Sequence, residues 1–296
     1  MSRRGWLLFV AMSVIWGIPY LLIRVAVRQL DPGVLVLART GPAALVLGPL
    51  VAWRRQWRAL ATHLGWIALF GAVEFGVPWY LMSTAERHIT SSLTSLLICC
   101  VPLVSVVVQR LRGAETVDRR RLSGLLVGAL GVALLVGLGI TRGSIPWIAL
   151  MALVIVGYAI GPIILATKLT HVDGPTVIMG ATAVVSLAWV PWDVVHWPTR
   201  VSAETLWSIV VLSLVCTVAA FLVFFELVKE AGPARSVVVT YLNTALAVVL
   251  GMVGLHEPLT VGIAVGFPLV LGGSILATTR PRTRTREDDL ADAQVA

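Results

Sequence analysis

The sequence predicts an all-α polytopic membrane protein with ten transmembrane helices arranged as two inverted five-helix repeats. Three observations carry this prediction: an apolar composition, basic residues gathered between apolar runs, and a match of the chain with itself at a fixed offset. Of 296 residues, 58% are hydrophobic and 13% charged, with a mean hydropathy of +0.91. Soluble domains are roughly 45 to 50% apolar and about 25% charged, so an aqueous globule could not hide this much apolar surface. In lipid, a spanning helix needs about 20 apolar residues, because the hydrocarbon core is about 30 Å thick and each residue rises about 1.5 Å.

Charge clusters and Pro/Gly punctuation bound ten candidate spans, at 6–28, 33–53, 64–84, 92–111, 121–140, 145–167, 175–196, 204–228, 235–255 and 258–279. The first follows Arg3 and Arg4 and is too long for the roughly 7 to 15 residue core of a signal peptide, so it is expected to stay uncleaved. Arg54 and Arg55 end the second. The third carries Glu74 at its middle, and the fourth opens on Thr90, Ser91, Ser92 and Thr94. Glu115 and Glu257 precede the fifth and tenth, where capping or loop-fixing roles are expected, and Pro258 suits a first helical turn. Gly124 and Gly128 form a small-xxx-small face for close helix approach. Pro19, Pro78, Pro102 and Pro162 fall within spans and can kink them. The segment 280–296 is basic, then acidic and free of aromatics, the composition of a disordered cytoplasmic tail.

Cytoplasmic connections collect Arg and Lys. With the N-terminus inside, 17 of the 23 basic residues fall on inner segments. An even number of spans with both termini cytoplasmic follows, and the Arg-rich usage points to a bacterial inner (plasma) membrane.

Sliding the chain by 142 residues aligns its halves without a gap: Asp31 meets Asp173, Arg87 meets Lys229, Glu115 meets Glu257, and Gly124 and Gly131 meet Gly266 and Gly273. Residues 1–141 and 142–279 thus form two units of five spans each. An odd number of spans forces the second unit to enter the membrane upside down, and the charges agree: the connection around Glu115 holds five Arg, whereas Gly254-Leu255-His256-Glu257-Pro258 holds none. Such halves are the building plan of many secondary transporters, with a binding site near the midplane.

The net charge of +8 does not form a continuous basic face, which speaks against nucleic acid. Cys99, Cys100 and Cys216 lie inside apolar runs with no metal-ligand spacing, so neither metal nor cofactor is expected. HExxH, GxSxG and P-loop patterns are absent, leaving no catalytic residue to name and excluding the common enzyme and ATP-driven classes. The expected partners are a small-molecule solute and the lipid bilayer, and a homodimer is compatible with the pattern.

Almost the whole chain apart from the tail resembles a ten-helix member of the drug/metabolite transporter superfamily with two EamA-type repeats. The residues that carry the resemblance are Trp16-Gly17, Arg24, Arg39 soon after Pro32, the Ser/Thr-rich start of the fourth span, Pro102, and Glu115 followed by Gly124 and Gly131. The second half adds Gly232-Pro233-Ala234, His256-Glu257-Pro258-Leu259-Thr260, Gly266 and Gly273. The resemblance implies export or exchange of amino acids, nucleobases, drugs or related metabolites, with no cofactor and no covalent chemistry. A lipid or lipid-carrier flippase shares the architecture and stands as the alternative.

Glu74 lies about ten residues into its span, roughly 15 Å deep, where a carboxylate is costly unless it is paired, wetted or protonated. It is either a ligand for a substrate ammonium or a proton-coupling site, or else a structural partner of Arg39 or a neutral hydrogen-bonded acid. Arg39, roughly 9 Å below its helix end, either receives a substrate carboxylate or phosphate in two-point fashion, or serves a structural ion pair or snorkels toward the interface. Trp16, Tyr20, Trp79, Tyr80, Tyr158, Tyr241 and Asn243 are candidates for lining a central cavity, the alternative being ordinary packing or a place at the lipid interface. Trp16 and Tyr20, four apart, are expected on one helix face.

Overall fold

The computed structural model describes residues 2–113, 119–139, 142–231 and 239–278, and among these residues all regular structure is helical. In chain order the long helical runs are α1 (Arg3–Ala26), α2 (Pro32–Trp53), α3 (Leu64–Ala85), α4 (Ser91–Leu111), α5 (Arg119–Gly139), α6 (Ile145–Lys168), α7 (Gly174–His196), α8 (Ala203–Ala231), α9 (Val239–Leu255) and α10 (Val261–Thr278). Seven of them, α1 to α4 and α6 to α8, are long and apolar enough to cross a membrane. The apolar helices α9 and α10 are shorter, and α5 opens on three arginines. A short helix not anticipated from the sequence, Trp57–Thr62, links α2 to α3. Glu115, the connection Gly232-Pro233-Ala234 and the tail 280–296 lie outside the described residues.

Local chemistry sets the helix starts. Ser2, Thr90 and Ser202 each accept a backbone N–H with the side-chain oxygen at an N-cap, satisfying donors that a helix start leaves free. Asp31 caps α2 from its extended backbone, with Pro32 at the first helical position. Proline rings then break two runs and sit beside a local change of winding in a third. The helix of α1 is interrupted at Ile18 before Pro19, α4 is interrupted at Cys99 and Cys100 before Pro102, and Pro78 follows a π-helical segment in α3. Pro162, by contrast, sits inside an uninterrupted α6.

Two π-helical segments, Ala72–Gly76 in α3 and Val211–Ala219 in α8, occupy matching positions when the chain is shifted by 142 residues. The packing repeats in the same way. Helix α2 runs along α7 and α5 along α10, α1 lies against α8 and α9, and α6 lies against α3 and α4. The shift turns each of these contacts into another: α2–α7 and α5–α10 exchange their own members, and α1 with α8 and α9 becomes α6 with α3 and α4. The matched acids Asp31 and Asp173 each face an arginine, Arg87 at 4.0 Å and Arg54 at 3.6 Å, but these arginines are not themselves matched by the shift.

The α5–α10 seam is the closest. A Cβ on Gly124 would fall 2.5 Å from the backbone nitrogen of Ala277, one on Gly131 2.6 Å from that of Val270, and one on Gly273 2.3 Å from that of Gly128. Only hydrogen fits there, as the glycine spacing predicts. The large aliphatic residues that stay exposed, among them Leu7, Leu45, Leu126, Leu153 and Leu187, have lipid as their natural solvent.

Candidate functional site

The polar centre of the bundle is assembled on Arg39. Its side chain is buried, at 6% exposure, and is held by groups that the π-helical segment of α8 presents. Arg39 Nε donates to the Thr217 hydroxyl at 3.0 Å and Nη2 to the Cys216 carbonyl at 3.5 Å. The Ser213 hydroxyl donates to the Arg39 carbonyl at 2.8 Å, and the Thr217 hydroxyl donates back to the Leu212 carbonyl, five residues earlier. A π turn loosens the regular i→i−4 ladder, which is why a carbonyl and hydroxyls of one helix are free to hold a side chain of another. On its other face the guanidinium lies over Trp79, 3.5 Å from the ring centroid, a cation–π arrangement. Among the described residues no carboxylate comes within ion-pair distance of it.

A cavity of about 10 Å³ adjoins Arg39, lined by Ile23, Leu35, Val36, Trp79 and Ser83. That is about the room one water needs, so the site is shut. Tyr20 and Tyr158 lie within electrostatic reach of Arg39 from α1 and α6. Glu74 stands on the π-helical segment of α3 against α6, where a Cβ on Gly161 would fall 2.0 Å from its Oε2. That oxygen is buried with no hydrogen-bond partner among the described residues. Tyr158 is within reach of both Glu74 and Arg39, whereas Arg39 and Glu74 form no ion pair. Of the two structural alternatives for Glu74, a partnership with Arg39 is therefore not what the geometry presents.

The structure thus gathers Tyr20, Arg39, Trp79 and Tyr158, with Glu74 at the edge. The other candidates are elsewhere. The interruption at Ile18 separates Trp16 from Tyr20: Trp16 packs on Phe224 and Phe221, with centroids at 5.0 and 6.0 Å, while Tyr20 joins the main core. Tyr80 stacks on Trp189 at 4.7 Å. Tyr241 and Asn243 are buried on α9, where Asn243 accepts the Thr244 hydroxyl at 3.3 Å and its carbonyl faces Gly17 of α1.

The two halves build the same contacts with different residues. Arg39 and Ser213 correspond, 142 residues on or back, to Ala181 and Gly71, and a Cβ on Gly71 would lie 2.9 Å from the Ala181 carbonyl. One half fills this crossing with a cation and a hydroxyl, the other closes it with bare backbone. Glu74 likewise corresponds to Cys216.

Two acids gain importance from the structure. Glu257 does help fix a connection, but it does so on α4 of the other half: Oε1 accepts from Ser91 N at 2.8 Å and Ser91 Oγ at 3.0 Å, and Oε2 from Ser92 N at 2.9 Å and Ser92 Oγ at 2.6 Å. A carboxylate at a helix N-terminus meets free N–H groups and the positive end of the helix dipole. Glu86 was not singled out in the sequence. It sits at the end of α3, fully buried, and Arg24 donates to its main-chain carbonyl. The spacing Trp79, Ser83, Glu86 places it on the helix face that lines the cavity, a signal that adjacency to Arg87 and His88 obscured.

Comparison with known proteins agrees with this architecture. The EamA-like transporter family matches residues 3–137 and again 145–279. The chain is 22% identical over 295 residues to an uncharacterized transporter of Archaeoglobus fulgidus, covering 95% of this chain and 99% of that one. It is 26% identical over 254 residues to the uncharacterized inner membrane transporter YedA of Escherichia coli K12, covering 81% and 79%. To the uncharacterized transporter YvbV of Bacillus subtilis it is 23% identical over 293 residues, covering 96% and 94%. A solved crystal structure shares the fold with a TM-score of 0.63 at 18% identity, over 94% of this chain and 98% of that one. Both halves of the chain carry the family pattern at the offset found in the sequence, and the chain belongs to the EamA-like transporter family, as a multi-pass, all-α membrane transporter and not an enzyme.

Proposed function

We propose that the chain is a secondary transporter, an exporter or exchanger, of a small organic solute that carries an anionic group. Amino acids and anionic drug-like compounds are the classes to test, with nucleobases, which carry no carboxylate or phosphate, as the contrasting class. In this reading residues 1–141 and 142–279 are five-helix units of opposite orientation, both termini are cytoplasmic, and the solute is reached alternately from the two sides. One observation carries the reading: Arg39 is buried between α2, α3 and α8 with a hydroxyl, a carbonyl and an aromatic face, yet with no carboxylate within ion-pair distance among the described residues. A guanidinium so placed lacks the anion that burial normally demands, and a solute carboxylate or phosphate supplies one. Tyr20, Trp79 and Tyr158 provide walls, and Glu74 is available to a solute ammonium or a coupled proton.

The test is a solute panel on purified protein in proteoliposomes, with and without a pH gradient, repeated for Arg39→Lys. An anionic solute moved by the wild type and lost or strongly slowed in Arg39→Lys supports two-point recognition. Full transport by Arg39→Lys contradicts it. Labelling that places Arg119 and Glu257 on the same side of the membrane overturns the inverted arrangement.

A lipid-carrier flippase is the second reading. It is favoured by a largely apolar surface groove of about 330 Å³ between α1 and α8, lined by Leu21, Leu22, Val25, Trp207 and Val211 together with Glu204 and Ser208. Movement of a headgroup-labelled lipid, with no soluble metabolite moved, would select it.

A further inference from the structure

Glu86 has no exposed surface, and neither of its carboxylate oxygens has a hydrogen-bond partner among the described residues. An ionised carboxylate in that position has given up its hydration without a hydrogen bond to replace it, whereas a neutral acid tolerates it. Its surroundings are mixed. From α1 come Arg24, committed to the Glu86 main-chain carbonyl, and Tyr20. From α2 comes Arg39, from α6 Tyr158, and from the connection between α9 and α10 comes Glu257. Neither arginine is within ion-pair distance of the Glu86 side chain among the described residues. Glu257 takes four hydrogen bonds at the start of α4, and negative charge on two neighbouring carboxyl groups is disfavoured, as for carboxylates that share one site.

We propose that Glu86 is a proton-binding site, holding its proton while Glu257 is seated on Ser91 and Ser92 and giving it up when this end of the bundle opens. On opening, the O–H bond breaks, the proton passes to water admitted at that end, and the carboxylate gains Arg24 as its nearest counter-charge. Rising pH therefore favours the open form, and falling pH the closed one. As a proton site Glu86 stands by itself; as a coupling site it rests on the transport reading above.

The test is infrared spectroscopy of the purified full-length chain in liposomes, following the C=O stretch of protonated carboxylic acids. Glu74→Gln and Asp193→Asn serve as controls, because these acids also hold buried oxygens without partners among the described residues. Loss of one component in Glu86→Gln that both controls retain, titrating away as pH rises, is the expected result. In Glu257→Gln that component should vanish at a pH lower by about one unit, since removing a neighbouring negative charge eases ionisation. An unchanged acid band in Glu86→Gln, in protein with an unaltered amide band and monodisperse elution, overturns the proposal. So does a titration midpoint that ignores Glu257→Gln. Solute movement separates the two readings: a wild type that moves nothing while the Glu86 band titrates removes the transport reading and leaves the proton site. Gradient-driven movement at the wild-type rate in Glu86→Gln removes the coupling role.

Discussion

The guanidinium of Arg39 lies 3.5 Å above the ring centre of Trp79, so the buried cation and the indole face form one surface of the small central cavity. A cation–π contact out of water contributes about 2 kcal/mol or more. Trp79→Leu should therefore lower the melting temperature of the purified protein and weaken binding of an anionic solute, as the arginine loses its platform. Trp79→Phe, which keeps a ring face, should retain most of both. Equal losses in the two variants, read by thermal denaturation and solute uptake, would show that ring volume rather than its face matters.

Gly161 meets Glu74 without space for a side chain, since a Cβ there would fall 2.0 Å from Oε2. Gly161→Ala should destabilise by about 1 to 3 kcal/mol through overpacking. The cost should shrink in Glu74→Ala, because neighbouring residues do not act additively. A double-mutant cycle on melting temperature checks this, and additivity would mean that the helix backbones rather than the carboxylate fill the space.

Glu257 bridges the two halves of the chain through its four acceptor contacts at Ser91 and Ser92. Hydrogen bonds to an ionised group contribute about 1.5 to 3 kcal/mol net each. Glu257→Gln should loosen the start of α4, seen as faster amide hydrogen exchange at Ser91 and Ser92. Ser91→Ala combined with Ser92→Ala should produce a smaller loosening than Glu257→Gln, because the two backbone N–H donors remain.

Gly273 packs against the backbone of Gly128 at a distance that excludes a methyl group. Gly273→Ala should lower the melting temperature, whereas Gly272→Ala, one residue earlier with nothing within 4 Å, should leave it unchanged or slightly raised through helix propensity. A cost at both positions would refute the seam as the cause.

Much of this was legible in the sequence because it depends on period and offset. The 142-residue repeat located the glycines of α5 and α10 and the matching Asp31 and Asp173, since backbone approach and a helix start are local demands that leave fixed residue types, although Asp31 accepts a backbone N–H and Asp173 the Thr176 hydroxyl. Arg39, Trp79, Tyr20 and Tyr158 were legible as buried polar and aromatic groups that need a purpose. Tertiary placement was not. Trp16 and Tyr20 obey a four-residue spacing, but Pro19 breaks the helix between them, so spacing alone put them on a shared wall. The hold of Thr217 and Cys216 on Arg39 depends on a π turn, which changes the register by a single residue and leaves no compositional mark. Glu86 escaped because a carboxylate beside Arg87 and His88 looks like a solvated connection until its side chain is seen to turn inward.

The glycine contacts between α5 and α10 have a consequence for how the two copies can diverge. At Gly131 and Gly266, and at Gly124 and Gly273, each residue already faces backbone or another glycine. Neither partner can shrink to make room if the other grows. Compensating pairs of substitutions, the usual route by which duplicated proteins drift apart, are closed off along this line, while the crossing of α2 with α8 was free to acquire a charge that the crossing of α7 with α3 never received.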